Sequence, residues 1–214
     1  DEKDDREYLR SVRLRADGSV VSAMAADGRR AARCVVEFET SKLDVCIPHG
    51  ATKLLIESGG DGFKISTVGI AFRFADYTVE CRQYAVDYPE MNFIFESKPE
   101  HTIAIRPDDV SSSMSAVKRV DKDGDVAFTL TGDTMRLESQ GADGYAVDEI
   151  DCESAPKEFG MNSRYFLEAL GSAGDEVSLS FSGDEMSPII LSSKNWTAVM
   201  SPLRIDHIRG KSKL

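Results

Sequence analysis

Asp121-Lys122-Asp123-Gly124-Asp125 crowds three carboxylates around a glycine, the raw material of a calcium loop. An EF-hand loop needs its glycine at the sixth position and a glutamate at the twelfth to complete the oxygen cage. Gly124 is fourth, and a strand pattern follows at once, so the segment reads as a plain turn. His49, His101 and His207 share no zinc-ligand spacing with one another or with a cysteine. No nucleophile elbow accompanies any histidine. Asp143, Asp148 and Glu149 could serve an acidic hydrolase, but no partner base, metal cluster or phosphate loop stands with them. The expectation is a protein without catalytic residues, resident metal or cofactor.

The net charge of −11 argues against a protein whose whole surface grips DNA or anionic lipid, yet leaves room for a local basic lining. Lys53, Lys118, Arg119 and Arg164 fall in segments with helical patterning and are the candidates for such a lining. As residues alone, Lys118, Arg119 and Arg164 fit a solvated helix face equally well. Cys34, Cys46, Cys81 and Cys152 form no CxxC pair and read as reduced cytoplasmic thiols. Neither a signal peptide nor an apolar run of membrane-spanning length is present, and Asn195-Trp196-Thr197, a glycosylation sequon by pattern, means nothing in a cytoplasmic chain. The first residue is Asp1 rather than methionine, so residues upstream are expected.

Strand patterns dominate. Val126, Phe128 and Leu130 alternate with Ala127 and Thr129; Val177, Leu179 and Phe181 alternate with Ser178 and Ser180; Ile70, Phe72 and Phe74 flank Ala71 and Arg73. Such a period of two predicts half-buried antiparallel strands. Asp17-Gly18, Asp61-Gly62, Asp123-Gly124 and Gly183-Asp184 supply the turns between them. Three helices are predicted, over 51–58, 107–120 and 163–170. The longest has Pro107 in its first turn followed by Asp108 and Asp109, a stripe of Val110, Met114, Val117 and Val120, and Lys118 and Arg119 at its end.

The chain also repeats itself. Thr52–Glu57 followed by Asp61-Gly62-Phe63-Lys64-Ile65-Ser66 has the layout of Tyr165–Leu170 followed by Asp175-Glu176-Val177-Ser178-Leu179-Ser180, with Asp61 and Asp175 standing 114 residues apart. An Ala-Asp-Gly turn recurs at Ala26-Asp27-Gly28 and Ala142-Asp143-Gly144. A period this long suits a duplicated domain rather than a solenoid. The expected division is 1–97 and 98–205, joined by polar Glu96–Glu100, with 206–214 as a solvated extension. The first copy lacks the opening strand and long helix of the second.

Four segments carry a resemblance. Ala25-Ala26-Asp27-Gly28-Arg29-Arg30-Ala31, Tyr88-Pro89-Glu90-Met91, Met161-Asn162-Ser163-Arg164-Tyr165 and Val199-Met200-Ser201-Pro202-Leu203-Arg204-Ile205 resemble, in order and spacing, segments of bacterial DNA polymerase III beta subunits, the sliding clamps. The match falls on the second and third domains of that family. It implies an α+β fold of tandem clamp-like domains, antiparallel sheets carrying short helices on one face. It implies a ring that encircles duplex DNA without regard to sequence and tethers DNA polymerase and clamp loader through short peptide motifs. The ring would be a homo-oligomer, a dimer of three-domain chains or a trimer of two-domain chains.

The same resemblance places a peptide-binding pocket at Ala26, Gly28, Arg30, Ala31, Pro89, Phe93 and Ile94, with Asn162, Tyr165, Val199, Met200, Pro202, Leu203, Arg204 and Ile205 on the other side. Ile94, Val199, Leu203 and Ile205 would offer aliphatic surface. Lys53, Lys118, Arg119 and Arg164 would face DNA. Arg29, Ala26, Ala31, Phe93 and Ser201 depart from the family pattern, and these bear on peptide preference. The competing readings are the acidic hydrolase and a β-rich structural or adhesion module without DNA contact.

Overall fold

A computed structural model describes residues 5–58, 62–65, 69–82, 84, 87–121, 123–142 and 144–210. Asp61, Lys122 and Asp143, which figure in the turns read from the sequence, lie outside the described residues. The chain divides into two compact units, Asp1–Phe93 and Ile94–Leu214.

In the first unit a 3-10 turn at Glu7–Arg10 leads into β1 (Ser11–Ala16), β2 (Val20–Ala26), β3 (Arg30–Glu37) and β4 (Leu43–Pro48). Then come α1 (His49–Ser58), β5 (Gly62–Ile65), β6 (Ile70–Arg73) and β7 (Thr78–Cys81). The first four strands pair antiparallel in the order β4-β1-β2-β3, and the last three in the order β5-β6-β7. Val45, Ile47, Ile70, Phe72 and Phe74 form the buried core, with Leu14, Leu55 and Val79 packed against it. The β2–β3 turn shows how sequence fixes local shape. Gly28 takes φ +85°, a conformation costly for any residue with a Cβ, while the Asp27 carboxylate accepts the Arg29 and Arg30 amides at 3.1 Å.

After α2 (Asn92–Phe95), the second unit runs β8 (His101–Ile105), α3 (Pro107–Val117), a 3-10 turn at Lys118–Val120, β9 (Asp125–Leu130), β10 (Thr134–Gln140), β11 (Tyr145–Asp151) and β12 (Lys157–Asn162). It continues with α4 (Ser163–Ala173), β13 (Val177–Phe181), β14 (Ile189–Ser193), β15 (Trp196–Met200) and α5 (Ile205–Arg209). Its strand orders, β12-β9-β10-β11 and β15-β14-β13-β8, repeat those of the first unit with β8 added. In both units a helix follows the strand at the start of this order, α1 after β4 and α4 after β12. The duplication read from turns and helix patterns is therefore a duplication of topology.

Pro107 opens α3, where a missing N–H costs nothing, and Asp108 and Asp109 complement the positive helix end. Val110, Ser113, Met114 and Val117 are its buried stripe, so Ser113 joins the expected apolar set and Val120 does not. At the head of α4, the Asn162 side chain accepts the Tyr165 amide at 3.3 Å as an N-cap. Phe166 of this helix meets Phe128 of β9 with ring centroids 5.2 Å apart.

Two further sequence expectations need correction. Strand β9 is not half-buried: Ala127, on the face opposite Phe128, is 0% exposed. Nor is the stretch after Ile205 a solvated extension as far as it is described. It forms α5, which packs on β9, β10 and β12 and buries Ile208 to 1% exposure. The two errors have one cause, because the helix that closes over the second face of β9 is the segment taken for a tail.

Candidate functional surfaces

Lys118, Arg119 and Arg164 converge on a groove of about 530 Å³ in the second unit, which Asp121, Asp123, Gly124, Asn162 and Ser163 also line. Local folding brings them together. The 3-10 turn after α3 carries the first two, and the first turn of α4 carries the third. Asp121 is buried and spends its carboxylate on the amides of Asp123 and Asp125, at 3.3 and 3.1 Å. Arg119 and Arg164 are exposed, and the Arg164 guanidinium lies 5.1 Å from the Tyr165 ring centroid. Lys53 lies on α1 of the first unit, exposed, with its ammonium 4.0 Å from Glu57.

The residues assigned to peptide binding divide into exposed and buried sets. In the first unit Gly28, Pro89 and Phe93 are exposed, Phe93 to 71%, while Ala26 and Arg30 are half-buried. Ala31 is buried in β3. Arg30 donates to Asp27 at 2.8 Å. Burial pushes the Asp27 carboxyl up, but Arg30 and the Arg29 amide outweigh it and hold it below its ordinary value. In the second unit Arg204 is exposed, and Ile94, Asn162, Tyr165, Leu203 and Ile205 are half-buried. Val199, Met200 and Pro202 are buried. Val199 and Met200 sit at 4% and 1% exposure, so they support the surface from within and do not offer the aliphatic area expected of Val199.

Sequence reasoning missed the residues that fix these segments in place. Arg13 of β1, itself buried, reaches Asp44 at 2.6 Å and Glu90 at 2.9 Å, and lies 5.5 Å from the Tyr88 ring centroid. That clasp holds the Tyr88-Pro89-Glu90 segment on β1. In the second unit Leu203 exchanges two backbone hydrogen bonds with Gly160 of β12, at 2.7 and 3.0 Å. No local pattern marks either contact, since the partners lie far apart in the chain.

Of the acidic residues weighed for hydrolysis, Glu149 is 3.3 Å from Arg136 and Asp148 accepts the Glu149 amide at 3.0 Å; Asp143 lies outside the described residues. Among the described residues no three His, Cys, Asp or Glu side chains are grouped to hold a metal ion, and no helix is long and apolar enough to cross a membrane.

No protein-family model matches this sequence, and no curated protein matches it. Solved structures do. A DNA polymerase III subunit beta from Pseudomonas aeruginosa superposes with a TM-score of 0.85 at 20% identity, over 95% of this chain and 60% of its own. The fold is the sliding-clamp fold. A second P. aeruginosa DNA polymerase sliding clamp gives a TM-score of 0.86 at 20% identity, over 95% of this chain and 61% of its own. A chain assigned as a DNA polymerase III beta subunit from Eubacterium rectale gives 0.86 at 18% identity, with 95% and 60% covered. This chain thus spans about 60% of the length of the clamps that share its fold. At these identities the likeness concerns the fold and leaves residue roles to chemistry.

Proposed function

We propose that this chain belongs to a DNA polymerase processivity factor, a ring that encloses duplex DNA and tethers the polymerase. The observation that carries the reading is the duplicated strand order within a fold shared with sliding clamps over 95% of the chain. A repeated unit can close a ring through head-to-tail contacts when its rotation closes, either as two chains of three domains or three chains of two. Such a ring has no reaction to catalyse. It holds DNA by enclosure, so phosphate contacts need only be weak, and a few cations such as Lys53, Lys118, Arg119 and Arg164 suffice to keep counterion-release affinity low enough for sliding. The net charge of −11 repels DNA from the remaining surface. A replication role also carries a cytoplasmic location.

The tether is a peptide-docking surface. In the second unit it comprises Asn162, Tyr165, Leu203, Arg204 and Ile205, half-buried or exposed and mostly apolar, with Ile94 as a further aliphatic group. In the first unit, Gly28, Arg30, Pro89 and Phe93 are assigned to the same role. Apolar anchors in a preformed groove concentrate binding energy in a few contacts. A P. aeruginosa sliding clamp of this fold has been solved bound to griselimycin, which makes that compound a probe for this chain.

The deciding experiment loads the full-length polypeptide onto nicked circular DNA. Retention at moderate salt that disappears when the circle is linearised is the expected result. Equal retention on circular and linear DNA, or a full-length protein that stays monomeric at micromolar concentration, overturns the reading.

A further inference from the structure

We propose that α5 is a latch that sets the shape of the peptide-docking segment, with Ile208 and Arg209 as its positioning residues; this rests on the docking role proposed for Leu203, Arg204 and Ile205. The backbone from Leu203 to Arg209 is pinned at both ends. At one end Leu203 exchanges two hydrogen bonds with Gly160. At the other, Arg209 donates through Nε to Glu138, through Nη1 to Glu158 at 3.0 Å, and through Nη2 to Thr129 at 2.9 Å. Arg204 is the N-cap of α5 and Ile205 its first residue, so the docking residues lie between the two anchors.

A helix of five residues has no stability of its own in water, and its turns persist only through what they bury. Ile208 supplies that burial. It fits because position 160 carries no side chain: a Cβ there would meet Ile208 Cδ1 at 2.6 Å and the Leu203 carbonyl oxygen at 2.8 Å. Glu138 is held from the opposite side as well, accepting from the Tyr145 hydroxyl at 3.0 Å and Arg136 at 3.4 Å. A carboxylate already held by two other donors gives Arg209 a rigid counterpart. The guanidinium fork then reaches a second carboxylate, which a point charge on a flexible stem cannot do in the same geometry. Docked, α5 fixes the backbone of 203–205 in one conformation; undocked, that segment has only the Leu203 bridge.

The test compares wild type, Arg209→Ala and Arg209→Lys in the full-length protein. Amide exchange is read over 203–209, and griselimycin affinity is read by calorimetry. Arg209 is a surface group, so the unit stays folded, which Trp196 fluorescence verifies. Arg209→Ala should speed exchange across 203–209 and weaken griselimycin roughly five- to tenfold, because apparent affinity scales with the docked fraction. Arg209→Lys, which keeps the charge without the fork, should fall between. Faster exchange with unchanged griselimycin affinity overturns the latch, as does unchanged exchange. Wild type that fails to bind griselimycin overturns the docking reading itself, and the latch with it.

Discussion

Phe128 and Phe159 stack face to face, ring centroids 4.7 Å apart and planes 9° from parallel, as register partners on β9 and β12. Phe166 of α4 closes on the same ring, so one aromatic group joins two strands and a helix. Phe128→Ala removes a fully buried ring from a site whose neighbours are themselves fixed, and should cost about 3–5 kcal/mol of the second unit's stability. Urea unfolding followed by Trp196 fluorescence checks this, since the chain's one tryptophan sits on β15 of that unit. A loss below about 1 kcal/mol would mean the core collapses into the space easily.

The alternation around Phe128 was readable because strand pairing leaves a period of two in the sequence. Helix α3 was readable through its start, Pro107 followed by Asp108 and Asp109. Two things were not readable. Strand β9 carries a small residue, Ala127, on its second face, and nothing local says that a helix covers it. Helix α5 is too short for a 3.6-residue periodicity to emerge, and its meaning depends on Gly160, Glu138 and Glu158, which precede it by tens of residues. The candidate surfaces show the same split. Arg164 was placed by its helix, whereas the burial of Met200 follows from tertiary packing that no local pattern records.

The Arg13–Asp44 pair makes a prediction about acid. Hydrogen bonds from Arg13, together with its charge, outweigh burial and hold the Asp44 carboxyl below the usual carboxylate range. A carboxylate with a depressed folded value stabilises the fold at all pH above its unfolded value, ~3.9 for Asp, and that contribution is lost as pH falls through the lower folded value. Asp44→Asn should therefore lower thermal stability of the first unit at neutral pH and flatten its decline in acid. Melting curves of both proteins from pH 7 downward give the comparison. Parallel curves would show that the pair contributes nothing to the acid response, the outcome for a fully screened surface pair.

Reversing Lys118 and Arg119 to glutamate tests the groove of the second unit. If both meet phosphates, the slope of log affinity against log salt should fall by about 2, and retention on circular DNA should weaken most at low salt. Retention unchanged at low salt would remove both residues from the DNA-facing set, leaving Lys53 and Arg164 to be tested singly.

Leu203 is the residue on which the proposed docking surface can be judged most cleanly. Its backbone is committed to Gly160 through two hydrogen bonds that a truncated side chain leaves intact, and the side chain itself is half-buried. Leu203→Ala should preserve the fold, as judged by exchange at Gly160, while costing about 1–2 kcal/mol of binding to an apolar peptide through lost apolar contact. Val199 and Met200 offer no such test, because they are buried and their truncation would damage the unit before it informed on binding. Phe93 is the residue of the first unit proposed for the same role. At 71% exposure it leaves a large ring in water, and Phe93→Arg should shift preference from apolar peptides toward acidic ones by adding a cation where apolar area stood. Affinities for paired apolar and acidic peptides, measured on wild type and both variants, separate the two contributions. Should Leu203→Ala bind the apolar peptide as tightly as wild type, the anchor lies elsewhere, and polymerase tethering would rest on the shared fold alone.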